Sequence, residues 1–417
     1  MKAFLTPLAL AVLVAAPVVA EPIQLSLSGG IDYSDNLEKI PNGDSGSESL
    51  LAVTLAYSDN LGRNEFDANY TLAQRSFTGA DLDSQTALTG VLSAVFPLNE
   101  RISVLLGHTA ERLSTDPSAP NTTDNETLTQ SVSLGFSVNP LNPGRAQLIV
   151  DPVFRYSEVT DGPGETVSTR GAGVSYQYGL NPITTVAPFI RYTTTEPETS
   201  QSVDSITGGV RFYRRLRQLS YFAEFGFGET ENESGVSNDD NEYSLGFAID
   251  RGSMAVTANV TRSIQTARAA SLDPGLAALL GLPLISVSQS TTDNQGISLE
   301  LRQLCQRCIA TVDYAQIEQR FADGTGSDIE SDLGSIGLDY RLTPTSSINL
   351  SYSREDTGFA SSSSNDFVQE NWSLGYSKQF ARELSLRFEI SEESREGAVG
   401  ADDYEALSAS LSLRKVF

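Results

Sequence analysis

The chain has little of the material from which most catalytic centres are built. Its 417 residues include one histidine, His108, and two cysteines, Cys305 and Cys308. Positive charge is also scarce, with 28 basic against 53 acidic side chains and a formal net charge of -25. Binding a phosphate backbone needs basic surface, so a nucleic-acid partner is excluded. Long apolar runs are missing too: beyond residue 20 nothing approaches the roughly 20 apolar residues of a membrane-crossing helix. No linker, charge block or shift of composition divides the chain, which argues for one continuous architecture. Hydrophobic residues make up only 39%, little for a large globular core.

Residues 1–20 are the exception. Lys2, the apolar run Ala3 to Ala16, and the small residues Val18-Val19-Ala20 before Glu21 have the three parts of a secretory signal peptide. The run is short for a spanning helix and is interrupted by Pro7 and Pro17. The expected division is therefore a signal peptide over 1–20 and a single domain over 21–417.

What the rest contains is alternation. Tyr243, Leu245, Phe247 and Ile249 alternate with Ser244, Gly246, Ala248 and Asp250. In Leu384-Ser385-Leu386-Arg387-Phe388-Glu389-Ile390, charged and polar residues sit between bulky apolar ones. The stretches around Ile297/Leu299/Leu301 and Ile336/Leu338/Tyr340/Leu342 read the same way. Period-two patterning puts one set of side chains on each face of a strand.

The breaks between such segments also alternate in length. Short ones are Leu98-Asn99-Glu100, Leu141-Asn142-Pro143-Gly144, Asn181-Pro182, Arg217-Gln218, Arg251-Gly252-Ser253, Cys305 to Cys308, Thr343-Pro344-Thr345 and Ala381-Arg382-Glu383. Between them fall longer, acidic breaks at 36–48, 114–125, 160–165, 229–240, 322–328, 360–366 and 396–403. Strands of about ten residues, short turns at one end and long loops at the other make up the signature of a transmembrane β-barrel. The expectation is an all-β, closed, antiparallel up-and-down barrel of about 20 strands, with 18 as the alternative. A soluble repeat protein would repeat residues at fixed offsets, whereas here only the rhythm recurs. Tyr176, Tyr178, Tyr221, Phe227, Tyr340 and Tyr352 suit the aromatic girdles of such a barrel.

This alternation predicts that Arg211, Glu224, Glu300, Arg302, Asp339, Arg341, Arg387 and Glu389 line the lumen. Buried without water these charges would be costly, so a wet lumen or dense pairing must satisfy them. Barrels of 16 to 18 strands already enclose an aqueous channel.

The remaining candidates for chemistry are few. His108 could serve a hydrolase as general base, but the spacing Ile102/Val104/Leu106 puts it on the lipid-side register as an interfacial residue. Cys305 and Cys308 lack the helix N-terminus of a redox pair and the further ligands of a zinc site, and Ile309 stands where a haem-attachment motif needs histidine. A structural disulfide across a tight turn is expected, with no cofactor. From 271 to 287 one break is apolar: Asp273 and Pro274 open a short helix carrying Leu276, Leu279, Leu280 and Leu282. It is either a lid or constriction at the pore, or a helix packed on the rim. The acidic stretches 238–242 and 323–332 match no complete calcium loop and read as solvated surface; no metal is expected.

The opening Ile31-Asp32-Tyr33-Ser34-Asp35-Asn36-Leu37, the turn Asn142-Pro143-Gly144-Arg145 and the terminal Phe417 resemble outer-membrane β-barrels of Gram-negative bacteria associated with exopolysaccharide or PEP-CTERM-type surface systems. Lys415 departs from the usual aromatic or apolar residue of that C-terminal signal. The resemblance implies a non-enzymatic conduit or surface-assembly protein, set among outer-membrane lipid and lipopolysaccharide. It also implies delivery by the barrel-assembly machinery through Phe417, and polysaccharide export proteins as partners. A general porin-like channel, or a barrel anchoring a surface polymer through its acidic loops, are the alternatives.

Overall fold

The computed structural model describes residues 23–417 except 62–63, 80–81, 83, 115–125, 143–145, 162–165, 199–200, 266–288, 323–327, 361–365, 382 and 399–402. The expected signal peptide and the apolar segment with Asp273, Pro274, Leu276, Leu279, Leu280 and Leu282 lie outside the described residues.

Twenty strands account for most of the chain. The first ten are β1 (Gln24–Ser34), β2 (Gly46–Leu61), β3 (Asn64–Thr78), β4 (Gln85–Pro97), β5 (Ile102–Ser114), β6 (Glu126–Asn142), β7 (Ala146–Asp161), β8 (Val167–Asn181), β9 (Thr184–Pro197) and β10 (Val203–Arg215). The second ten are β11 (Leu219–Asn232), β12 (Ser237–Asp250), β13 (Met254–Gln265), β14 (Ser290–Cys305), β15 (Cys308–Phe321), β16 (Ile329–Thr343), β17 (Ser346–Phe359), β18 (Phe367–Ala381), β19 (Leu384–Gly397) and β20 (Tyr404–Val416). Each strand pairs antiparallel with its sequence neighbours, and β1 pairs with β20 from Ser26↔Val416 to Ser34↔Ser408. That last ladder removes both free edges, the condition under which extended backbone can stand in hydrocarbon. Among the described residues no helix is long and apolar enough to cross a membrane.

Twenty strands at the usual spacing and tilt close a cylinder roughly 40 Å across between backbones. Its two faces differ chemically. Ile206, Val210, Phe225 and Phe227 are exposed on one register of β10 and β11. The other register holds Ser205, Thr207, Gly209, Gly226, Gly228 and Thr230, with Thr230 fully buried. A cylinder crowds side chains on its concave side and spreads them on its convex side, so the buried polar set is the inner one. The same division runs round the wall, where buried Thr195, Ser331 and Thr357 face inward and Ile190, Ile336 and Leu350 outward. Outward residues Trp372, Leu374, Tyr376 and Phe380 on β18 span about 20 Å along the barrel axis at the usual rise and tilt. Tyr176, Tyr178, Tyr221, Phe227, Tyr340 and Tyr352 all lie on this outward register.

Connections at one end are short, the longest being 98–101; those at the other include 35–45, 115–125 and 266–289. The stretch 229–240 corrects the sequence reading. It is not a long loop: β11 and β12 remain paired through Glu231↔Ser237, leaving a tight turn at 233–236. Ladders continue past the apolar band there because polar outward pairs replace lipid contact. Such pairs include Arg262 to Asp293 at 2.6 and 2.8 Å on β13 and β14, and Arg354 to Glu370 at 2.9 Å on β17 and β18. Further breaks at 62–63, 79–84 and 198–202 complete the set between the twenty strands.

Candidate functional site: the lumen wall

Alternate residues of a closed barrel form a continuous inner surface, so the candidate site is a wall assembled from all the strands. Arg211 and Glu224 are register partners on β10 and β11. The guanidinium donates from Nε to Glu224 Oε2 at 2.6 Å and from Nη2 to Oε1 at 3.3 Å. It also lies over the Phe189 ring of β9, 4.2 Å from the centroid. Near the short-turn rim Arg302 donates to Glu300 at 2.6 Å and, across β13, to both Asp250 oxygens at 3.0 and 2.9 Å. Arg387 and Glu389, two apart on β19, meet at 2.5 Å. Asp339 and Arg341 share the inner register of β16, opposite Asn349 and Ser347 of β17. Between the charges the wall is made of hydroxyls, as in Ser351 to Ser373 at 2.6 Å and Thr109 to Ser131 at 2.5 Å. Such pairs satisfy polar groups along the strand face and leave carboxylates half-open to water.

Two features of the wall escape a reading of single strands. The first is a pair of buried apolar clusters facing inward toward the long-loop end, Ala315/Ile317/Leu333 and Ile329/Phe359/Phe367 with Phe321 against it. These residues fall on the polar register of their strands, so alternation alone marks them as lumenal without showing that they pack together. The second is a clamp over the seam between first and last strands. Lys39, from the connection after β1, reaches Glu393 of β19 with both oxygens within 3.0 Å. Glu393 also accepts from Tyr404 and Gln369, and Arg395 beside it covers the Phe367 ring at 3.6 Å.

No family model matches the chain, and no curated protein matches it. Solved structures do. The FrpB iron transporter of Neisseria meningitidis (F3-3 variant) superposes with a TM-score of 0.54 at 10% identity, over 96% of this chain and 82% of that one. The siderophore receptor PirA from Pseudomonas aeruginosa gives 0.50 at 12% identity, over 96% and 81%. The ferric-catecholate import receptor Fiu from E. coli K12, in its closed form, gives 0.50 at 10%, over 95% and 82%. The chain has the fold of outer-membrane β-barrels. At such identities the likeness concerns the fold, and the iron cargo belongs to those proteins.

The other residues singled out from sequence take their places in this barrel. Cys305 and Cys308 form a disulfide bridging the β14–β15 turn, with Cα atoms 5.0 Å apart. His108 faces outward with Val104 and Leu106, its Nδ1 2.5 Å from the Tyr70 hydroxyl of β3. Within 238–242, Asn238, Asp240 and Glu242 project from one face of β12, and Asp239 and Asn241 from the other. That stretch therefore cannot close round one ion as a loop would. Lys415 sits beside the C-terminus, its ammonium 4.6 Å from the Phe417 ring centroid, while the Phe417 amide donates to Leu25 O at 2.8 Å.

Proposed function

We propose that the chain is a passive, water-filled conduit of the bacterial outer membrane, with exopolysaccharide export or surface assembly as its task. The carrying observation is the inner wall. A closed cylinder of this width, greasy outside and lined within by ion pairs, hydroxyls and glycines, is stable in a bilayer when its interior is hydrated. Export as the task draws on the resemblance of the Ile31–Leu37 segment, the Asn142-Pro143 turn and Phe417 to barrels of polysaccharide surface systems. Partners in this reading are lipopolysaccharide and lipid at the apolar band, the assembly machinery at Phe417, and polysaccharide export proteins at the short-turn rim. The reading assigns no catalytic residue.

Planar-bilayer conductance of the purified protein, with liposome swelling in neutral sugars, tests the conduit. Steady ohmic current and swelling are expected; a sealed bilayer at all voltages overturns the proposal. The inward clusters round Ile317 and Phe359 favour one second reading, a barrel narrowed at the long-loop end that anchors a surface polymer. In that case deleting long loops abolishes polymer retention while conductance stays unchanged.

A further inference from the structure

Tyr213 of β10 and Phe222 of β11 stand directly opposite each other in register, two residues along from Arg211 and Glu224. They share the alternate positions of buried Ser205 on β10 and Thr230 on β11, so both rings point into the lumen. They stay open there, 44% and 40% exposed. Neither belongs to a membrane girdle, because the outward register of the same strands has its own aromatic pair, Phe212 and Tyr221, at 6.0 Å.

Bare aromatic faces on a wall of serine, threonine and glycine are unfavourable in water unless something covers them. The backbone makes room for these. A Cβ at Gly246 of β12 would fall 2.3 Å from Phe222 Cε1, so the ring leans across onto the next strand into space that only glycine leaves. On the other flank the Phe189 ring supports Arg211. The result is a strip with aromatic surface on either side of an oriented guanidinium–carboxylate pair, which offers fixed donors and acceptors.

A matching ligand has flat apolar patches edged by hydroxyls. Pyranose rings have this character: their C–H faces cover aromatic rings, and their hydroxyls bond to both members of an ion pair. An anionic solute is opposed by Glu224, and a wholly apolar one would strip water from the pair without replacing it. We propose that Phe189, Arg211, Tyr213, Phe222 and Glu224 form a saccharide-docking strip inside the lumen, taking neutral pyranose units of a linear glycan. The assignment rests on the conduit reading, and names its substrate class.

The test uses the full barrel in detergent micelles, titrated calorimetrically with maltohexaose and with cellohexaose, and the same sugars added to single channels in planar bilayers. At least one glucan is expected to bind the wild type and to block current transiently. Tyr213→Leu/Phe222→Leu keeps bulk at both positions but removes the aromatic faces, and is expected to weaken binding at least tenfold. Tyr213→Phe should stay within about threefold of wild type. Circular dichroism and heat-shifted electrophoretic mobility establish that each variant is folded. Absence of binding by both glucans, or equal affinity in the Leu/Leu variant, overturns the docking strip. The two readings fail separately: conductance without sugar binding removes the strip alone, and variant-sensitive binding without conductance removes the conduit alone.

Discussion

Replacing Glu224 by Gln asks whether the lumen is wet. The substitution keeps the shape of the side chain and one acceptor but removes the charge facing Arg211, whose Nε lies 2.6 Å away. Unit charges about 4 Å apart attract by about 1 kcal/mol in water and about 4 kcal/mol at an effective dielectric near 20. Arg211 and Glu224 side chains are 45% and 25% exposed, so in a hydrated channel the pair belongs with partly screened surface bridges, worth about 0–1 kcal/mol. In a dry, packed interior the same change strands a buried guanidinium, at a cost of about 3–5 kcal/mol. The expected loss for Glu224→Gln is therefore below about 1 kcal/mol. It should shrink further in 1 M salt, where the screening length is about 3 Å. Equilibrium urea unfolding of protein refolded into phosphatidylcholine vesicles measures both. A loss of about 3 kcal/mol or more that salt does not reduce would refute the hydrated lumen, and the conduit with it.

Trp372 is the chain's single tryptophan, half-exposed on the outward face and packed 4.3 Å from the Tyr352 ring. Its emission in vesicles should be quenched by brominated lipid and little affected by aqueous iodide; the reverse order would place it away from lipid. The Cys305–Cys308 bridge closes a very short loop, so Cys305→Ser/Cys308→Ser should cost at most about 2 kcal/mol by loop entropy. The variant is expected to assemble normally, and a failure to fold would show the bridge to be indispensable. His108→Ala should lower stability by about 1 kcal/mol through loss of the Tyr70 contact and leave conductance as in wild type. Loss of a measurable lipid or peptide hydrolysis on that change would revive an enzymatic reading. Phe417→Ala should reduce the folded yield in cells but not refolding into vesicles, because the bond from residue 417 to Leu25 uses the backbone amide; equal loss in both would assign Phe417 a packing role only.

Much of the architecture was legible because its determinants are local. Lipid outside and polar groups within impose period two on every strand, and that pattern is written in Tyr243–Asp250 and Leu384–Ile390 residue by residue. Turn composition separated the short end from the long one, and the disulfide followed from two cysteines flanking a two-residue turn. The alternating pattern also placed Arg211, Glu224, Glu300, Arg302, Asp339, Arg341, Arg387 and Glu389 on one face. Where a strand leaves the apolar band the alternation fades into polar residues on both faces, and 229–240 then reads as a loop although its backbone is still paired.

Side-chain contacts between strands were beyond such reading. Nothing near Lys39 announces Glu393, and nothing at Gly246 announces the Phe222 ring that leans over it. The inward clusters of Ile317 and Phe359 depend on which apolar residues of consecutive strands arrive at the same height. Register between neighbours sets those heights, and closure of β1 onto β20 brings the two ends of the sheet together. Composition and periodicity thus determined a barrel with a greasy outside and a polar inside, since each residue's preference for water acts locally. Which charges pair and which rings stay bare were decided by strand register, and what clamps the seam by closure of the sheet, because those contacts join residues on different strands.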